Sequence, residues 1–316
     1  MTDKKKIYLL LIINSAFLVL LLGKGLTFDN YQFFLSLRIP KVIAIVLAAI
    51  AIALSSLAFQ TITSNRILTP SVMGFDSLYL LTQIIIVFIC GSMSVFYLNP
   101  YLNFAVCTVT MMLFSVVLFN FYFRSGSSNL LLLLLVGIIL GQVFGNLTSM
   151  IAMMLSPNEF ASLQANMFAS FNHVKVELIY ISLPVITCAA FFLFKMHQTL
   201  NVLWLNHENA TSLGVNVKAT NRQVLLLSTI LIAVSTALVG PVLFFGFLVT
   251  NLTREWIQSY QHRTLFIACV LIAVCTLLIG QFVIEHIFKF QTTLSVVINF
   301  VGGAYFLRLL LKKQIM

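Results

Sequence analysis

Apolar runs of about 20 residues recur from one end of this chain to the other. A helix of that length crosses the roughly 30 Å hydrocarbon core of a bilayer. Only 8% of the 316 residues are charged and 60% are hydrophobic, which excludes an ordinary soluble domain. The runs are continuous and do not alternate, so they favour helices over strands. The sequence therefore predicts an all-α polytopic membrane protein.

Ten stretches qualify as spans. They are roughly residues 7–23, 40–61, 71–90, 98–122, 131–155, 174–194, 223–240, 242–256, 264–284 and 294–311. Pro40 and Pro70 begin two of them, and we expect both in the first helical turn, where a missing N–H costs nothing. The first stretch lacks a small-x-small cleavage site, so it is interpreted as a span and not as a signal peptide.

The 18 lysines and arginines are divided unevenly between the two sides of such a bundle. With both termini assigned to the cytoplasm, thirteen fall inside and five outside. Basic residues accumulate in cytoplasmic loops, so this division favours cytoplasmic termini. Orientation also accounts for the net charge of +10, which therefore does not indicate nucleic-acid binding. The five outer residues are Lys24, Arg38, Lys41, Lys175 and Lys289.

Patterns for catalysis or metal binding are missing from the sequence. The five cysteines form no CxxC pair, and the five histidines show no ligand spacing. No HExxH, GxSxG or GxxxxGK[ST] pattern occurs, so no intramembrane enzyme is predicted. The carboxylates Asp76, Glu177, Glu255 and Glu285 lie near span ends, whereas ion-coupled carriers need them at mid-membrane. An external energy source is therefore predicted, with an ion-coupled secondary carrier as the alternative.

Residues 195–222 form the longest polar interval in the chain. The charge distribution places this interval in the cytoplasm, and no soluble domain accompanies it. We interpret residues 195–222 as the docking element for a separate motor protein. The whole chain, residues 1–316, is then a single transmembrane domain.

A ladder of small residues in the fifth span admits two interpretations. Gly137, Gly141 and Gly145 recur every four residues, with Asn146 and Ser149 on the same helix. Such spacing permits close packing of a neighbouring helix. The polar neighbours favour a second interpretation, in which this helix forms a smooth wall of a passage.

Two basic residues at the outer mouth of the second span, Arg38 and Lys41, are also open to two interpretations. They can snorkel toward lipid headgroups, as long cationic side chains do at span ends. Alternatively, they present fixed positive charges to carboxylates of an extracytoplasmic partner and orient its docking.

Several motifs, in their order along the chain, resemble the permease subunits of type II ABC importers for iron-siderophores, haem and cobalamin. The similarity extends over about residues 36–312. The polar interval matches best, with LNVL at 200–203 and ATSLGV at 210–215, and GPVLFFGF at 240–247 overlaps the start of the eighth span. The matching positions are 38–41, Gln60, 65–68, 70–74, 200–203, 210–215, 240–247, Arg254 and 302–307.

The resemblance implies a type II ABC importer permease fold with about ten spans in the bacterial cytoplasmic membrane. It implies alternating access, with spans five and ten lining the passage and a short helix around residues 166–171 capping it. It assigns ATPase coupling to Leu203, Ala210, Ser212, Leu213, Gly214 and Val215. By the same resemblance the passage and its gate involve Ser127, Ser128, Gly137, Gly141, Gly145, Asn146, Ser149, Gly302 and Gly303.

The resemblance also implies partners. They are a second permease chain, two cytoplasmic ATPases that hold ATP and Mg, and a siderophore-binding lipoprotein or periplasmic protein outside. The permease itself binds no cofactor. The segments GQFVIEH and NFVGGAYF resemble the branch that includes permeases for ferric anguibactin and petrobactin. Members of that branch usually pair with a different permease chain, so the resemblance favours a heterodimer over a homodimer. Haem and cobalamin import remain the alternatives within the family.

Some positions depart from the family pattern. The usual Pro-His before Arg254 is Thr250-Asn251, and an expected Asp-x-x-x-Arg is replaced by residues 281–285, which end in Glu285. The second change removes a basic contact for the binding protein. Lys289 is the candidate replacement, beside Arg38 and Lys41.

Overall fold

A computed structural model describes residues 2–24, 31–124, 130–172 and 174–314. Within these ranges the chain is helical, and the helices are α1 Asp3–Gly23, α2 Tyr31–Ile62, α3 Phe75–Cys90, α4 Val95–Leu98, α5 Pro100–Arg124, α6 Leu130–Ala152, α7 Pro157–Met167, α8 Val176–Lys195, α9 His197–Leu203, α10 His207–Ser212, α11 Val217–Val239, α12 Phe245–Trp256, α13 His262–His286 and α14 Leu294–Gln314. The predicted gate residues Ser127 and Ser128 lie outside the described residues.

Ten of these helices coincide with the ten predicted spans. Helices α1, α2, α5, α6, α8, α11 and α13 are long and apolar enough to cross a membrane. Helix α3 and residues 294–308 of α14 are shorter apolar helices, and α12 has only 12 residues. The all-α polytopic architecture predicted from the sequence is confirmed.

Helix α2 is the central element of the bundle. It packs against α8, α11, α12 and α13. In α2, 78% of the residues in an apolar stretch of 18 residues are buried, compared with 17% in the corresponding stretch of α1. Small residues explain this position, because Ala44, Ala48 and Ala51 allow neighbouring helices to approach closely. Helix α1 packs mainly along α13, at the edge of the bundle.

The predicted start of the second span is wrong. Helix α2 begins at Tyr31, so Pro40 lies inside the helix and not in its first turn. The apolar residues before Pro40 extend the helix by more than two turns. Proline cannot donate to the carbonyl four residues earlier, that of Ser36, but the rest of the helix continues past it. Pro70, in contrast, does begin a helical turn, the 3₁₀ turn Pro70–Met73.

Two glycines shape the breaks between helices. Gly74 has φ +90° and joins the 3₁₀ turn to α3, and Gly240 has φ +92° and ends α11. A Cβ on Gly240 would lie 2.8 Å from the Cα of Ala169, so this glycine also lets the segment after α7 approach.

The short helix after α6 lies earlier in the chain than the resemblance implies. Helix α7 spans Pro157–Met167, whereas residues 168–171 are non-helical. A capping box fixes its start, since Ser156 and Glu159 each accept a hydrogen bond from the other's backbone N–H.

Candidate coupling surface and the network beneath it

The polar interval 195–222 contains two short helices, α9 and α10, at one end of the bundle. We call this end the basal end; the ends of α2 and α12 and the starts of α1, α11 and α13 also lie there. Leu200 and Leu203 of α9 and Ala210 of α10 are fully buried. Ser212 is exposed, and Leu213 is 64% exposed. The interval is therefore anchored on one side and presents an apolar side chain on the other.

Gly214 ends α10 in the left-handed region, with φ +84°. Its N–H donates to the carbonyl of Thr211 at 3.0 Å, and the N–H of Val215 donates to that of Ala210 at 3.0 Å. These bonds resemble the αL helix ends that favour glycine. No atom of the described residues lies within 4 Å of a Cβ built on Gly214, so backbone conformation is the reason that glycine is favoured here.

The side chain of Asn201 connects α9 to two long helices. Its Oδ1 accepts hydrogen bonds from the backbone N–H of His262 at 2.7 Å and from His262 Nδ1 at 2.8 Å. His262 is fully buried, and its Nε2 lies 2.8 Å from Thr61 Oγ1 in the last turn of α2. Since Nδ1 must be the donor to Asn201, Nε2 of the neutral ring is an acceptor, and it shares the single Thr61 hydroxyl proton with the carbonyl of Leu57, which lies 2.9 Å from Thr61 Oγ1.

A cation–π contact lies beside this chain of hydrogen bonds. The guanidinium carbon of Arg254, near the end of α12, is 4.2 Å from the ring centre of Trp204. Trp204 also meets the ring of His262 edge-on at 5.9 Å. The Nε and Nη2 atoms of Arg254 are buried without a hydrogen-bond partner in the described part of the chain. The Trp204 ring therefore stabilises the Arg254 guanidinium through the cation–π contact.

Polar side chains also fix the connection after α2. Gln60 Nε2 donates to the carbonyl of Arg66 at 2.7 Å and to Thr250 Oγ1 at 2.8 Å. Asn251 Nδ2 donates to the same Arg66 carbonyl at 3.0 Å. The departure Thr250-Asn251 from the family motif thus has a structural task, because both side chains help to hold the 62–70 connection against α12.

At the opposite end of the bundle, Arg38 is engaged within the chain. Its Nη1 donates to the carbonyls of Leu22 at 2.9 Å and Lys24 at 2.8 Å, at the end of α1. Its guanidinium also lies 5.1 Å from the ring centre of Phe34. The side chain therefore satisfies helix-end carbonyls, a contact that neither sequence interpretation included.

Lys41 is likewise paired. Its Nζ lies 2.6 Å from Glu285 Oε1, in a salt bridge whose side chains are 17% and 14% exposed. Gln281 Nε2 donates to the same Oε1 at 2.8 Å and to Asn172 Oδ1 at 2.9 Å. Lys289 is exposed. Among the three predicted docking cations, Lys289 is the one with its side chain directed to the surface.

The glycine ladder of α6 is divided between two surroundings. A Cβ on Gly137 would lie 3.1 Å from the Cα of Met73, and one on Gly141 would lie 2.9 Å from the Cα of Gly74. Both glycines thus pack against the 3₁₀ turn. In the part of the chain that the structure describes, no atom lies within 4 Å of the Cβ position of Gly145, and Asn146 and Ser149 are exposed. Only this latter group faces open space.

The two glycines of α14 differ in the same way. A Cβ on Gly302 would lie 2.6 Å from Phe244 Cβ, so Gly302 packs against the start of α12. Gly303 has no described atom within 4 Å of its Cβ position. A passage wall would therefore use the open positions Gly145, Asn146, Ser149 and Gly303; that role stays a prediction.

Two cavities lie near the connection between α7 and α8. One, of about 460 Å³, is bordered by Gln83, Lys175 and Gly240. The other, of about 500 Å³, is bordered by Asn172, Gln281 and Phe290. Neither was indicated by the sequence, because their walls come from segments far apart in the chain. Among the described residues no group of three or more His, Cys, Asp or Glu side chains is placed to hold a metal ion.

Comparison with known proteins decides the family. The model of the FecCD transport family matches residues 9–312. The chain belongs to this family. It is a multi-pass protein of the bacterial cytoplasmic membrane, and the relatives described below are transport permeases.

Two relatives are particularly similar. The petrobactin import system permease protein YclO of Bacillus subtilis (strain 168) is 43% identical over 94% of this chain and 95% of its own length. The permease FatC of Bacillus anthracis, also named for petrobactin import, is 37% identical over 88% of this chain and 78% of its own length. The same organisms have further petrobactin permeases, YclN and FatD, which match at 22% and 26% identity.

A solved structure shares the fold. It shows a metal-chelate type ABC transporter in an inward-facing conformation, with a TM-score of 0.85 over 98% of this chain and 100% of the other. The sequence identity is 21%, so this likeness shows the fold alone. It confirms the predicted ABC importer permease fold.

Proposed function

We propose that this chain is the permease subunit of an ATP-driven importer that carries ferric petrobactin, or a closely related iron-siderophore, into the cytoplasm. The observation that carries the proposal is the 43% identity to YclO, which extends over 94% of the chain. Haem and cobalamin permeases belong to the same wider family, and they are the nearest alternatives.

The basal end supports coupling to a motor protein. Helices α9 and α10 are anchored by Leu203 and Ala210, and the exposed Ser212 and Leu213 lie between that anchor and the turn at Gly214. A short anchored helix that exposes an apolar side chain can lie in a groove on a partner. In this proposal a cytoplasmic ATPase engages these residues, and ATP binding drives alternating access.

The partners follow from the relatives. YclO and FatC each share their organism with another petrobactin permease, YclN or FatD, to which this chain is much less similar. A heterodimer with a second, different permease is therefore favoured over a homodimer. Two ATPases would hold ATP and Mg, and a siderophore-binding protein would deliver cargo from outside. This chain would bind no cofactor of its own.

Docking and passage residues are assigned by exposure. Lys289 would meet the binding protein, because Arg38 and Lys41 are already engaged within the chain. The open positions of α6 and α14 would line the passage formed with the second permease. Their small or uncharged side chains would hold no cargo tightly, so the binding protein would set most of the selectivity.

Uptake of radiolabelled cargo in cells lacking this chain tests the proposal. Cells would be offered ferric petrobactin, other ferric siderophores and haem labelled with radioiron, and cobalamin labelled with radiocobalt, in parallel. Loss of ferric petrobactin uptake, restored by the wild-type gene, is the expected result. Uptake that persists when the partner ATPase carries a disabled nucleotide site would instead favour an ion-coupled carrier. Loss of haem or cobalamin uptake alone would reassign the cargo.

A further inference from the structure

The geometry beneath α9 points to a route by which motion leaves the coupling surface, an inference that rests on the proposed function. Helix α9 has only 7 residues and packs against α2, α8, α10 and α13. The buried leucines of α9 anchor it by apolar packing, which is not directional and lets α9 shift against its neighbours. A directional link requires hydrogen bonds with fixed geometry, and Asn201 provides them.

The first link is between α9 and α13. Helix α13 has no side-chain cap of its own, since Gln261 at its N-cap makes no side-chain bond to the first turn. Asn201 Oδ1 instead accepts from the backbone N–H of His262, one of the donors that a helix start leaves unsatisfied. Asn201 thus caps α13 from another helix, so displacing α9 disturbs the start of α13.

The second link extends from α13 to α2. The ring of His262 bonds Asn201 through Nδ1 and Thr61 through Nε2, and Thr61 belongs to the last turn of the central helix. His262 and Thr61 are 0% and 1% exposed, so water does not compete for these bonds. Low local polarity strengthens such a chain of hydrogen bonds and makes breaking it costly.

We propose that Asn201, His262 and Thr61 form a positioning relay that makes α9, the start of α13 and the end of α2 move as one unit when the ATPase engages α9. None of the three residues touches cargo or nucleotide in this scheme. Motion would reach the passage through α13, which packs against α14, and through the central helix α2.

Transport stoichiometry tests the relay in the complete importer reconstituted with ferric petrobactin. Thr61→Val replaces one hydroxyl by a methyl group at nearly constant volume, and Asn201→Leu removes the shared acceptor. Each is expected to lower cargo moved per ATP hydrolysed by about fivefold or more, the size of a typical coupling energy. Hydrolysis itself continues. The double variant should move as much cargo per ATP as the single variants, since both substitutions break the same series of hydrogen bonds.

A matched control separates the relay from general destabilisation. Thr229→Val also removes a buried hydroxyl. Both Thr229 and Thr61 donate to a carbonyl of their own helix, Leu225 and Leu57 respectively, but within the described part of the chain Thr229 has no bond to another helix. Thr229→Val should leave the cargo moved per ATP hydrolysed unchanged. Asn201→Asp keeps an acceptor oxygen, so it should retain most of the wild-type ratio that Asn201→Leu loses. If Thr61→Val assembles and transports with the wild-type ratio, the relay is overturned. If Asn201→Leu does not assemble, the isosteric Thr61→Val decides.

A second readout does not depend on cargo, so it stays valid if the cargo is reassigned. Spin labels would replace the exposed Gln198 on α9 and Arg263 on α13, with exposed Cys90 and Cys188 changed to serine. In the wild-type background the label separation should stay constant between nucleotide-free and ATP-bound complexes. In the Thr61→Val background it should shift or broaden on ATP binding. A wild-type separation that changes with nucleotide contradicts motion as one unit.

Discussion

At the scale of single residues, Gly214 makes the proposed coupling segment sensitive to backbone conformation. Its φ of +84° is costly for any residue with a Cβ, and valine should lose about 1–2 kcal/mol there. Because no neighbour lies within 4 Å of the Cβ position, the strain should act locally on the end of α10. We expect Gly214→Val to reach the membrane in normal amounts and to lose siderophore uptake.

The companion variant Gly214→Asn sharpens this prediction, since asparagine tolerates left-handed backbone better than valine does. It should retain more uptake than Gly214→Val at equal membrane abundance, measured by radioiron accumulation and immunoblotting. Equal uptake by both variants and the wild type would show that the turn at Gly214 is not required for coupling.

The contacts of the outer basic residues could not be predicted from the sequence. Arg38 and Lys41 were open to lipid contact or partner docking, and both instead bond within the chain. The partner of Lys41 is Glu285, at a separation of 244 residues. A sequence pattern over neighbouring residues does not predict a contact between residues so far apart in the chain. The same holds for Asn201, His262 and Thr61, which come from three different segments.

At the scale of elements, hydropathy was a reliable guide. All ten apolar runs became helices, because in lipid each backbone polar group must be satisfied within its own segment. Helix ends were less predictable. Pro40 suggested a start that the structure places at Tyr31, and α7 was placed too late because its composition is mixed and carries no apolar run.

The packing of α6 on the 3₁₀ turn leads to a prediction with an internal control. An alanine Cβ at Gly141 would lie 2.9 Å from the Cα of Gly74, and backbone cannot move aside as a flexible side chain can. Overpacking of this kind costs typically about 1–3 kcal/mol. Gly141→Ala should therefore lower the thermal unfolding midpoint of the purified protein in detergent.

Gly145→Ala is the matched variant, on the same helix and one turn further along. Its Cβ would meet no atom of the described ranges within 4 Å, and alanine favours a helix over glycine by up to about 1 kcal/mol. The unfolding midpoint should stay the same or rise. A loss of stability at position 145 equal to that at 141 would mean that the 3₁₀ turn does not set the packing of α6.

At the scale of the whole molecule, the two ends of the bundle differ in character. The basal end carries α9, α10 and the polar network under them, whereas the other end carries the Lys41–Glu285 pair and both cavities. Thirteen of the 18 basic residues belong, by sequence, to the side that includes 195–222. The positive-inside rule therefore predicts that the basal end faces the cytoplasm.

Single-cysteine labelling tests this orientation on the intact importer. In a background with the five native cysteines replaced by serine or alanine, Leu213→Cys and Lys289→Cys would each supply one exposed thiol at opposite ends of the bundle. A membrane-impermeant maleimide added to intact cells without an outer-membrane barrier should label Cys at position 289 and leave position 213 unreacted until the membrane is opened. The reverse pattern would place α9 and α10 outside the cell, where no ATP-driven motor could reach them.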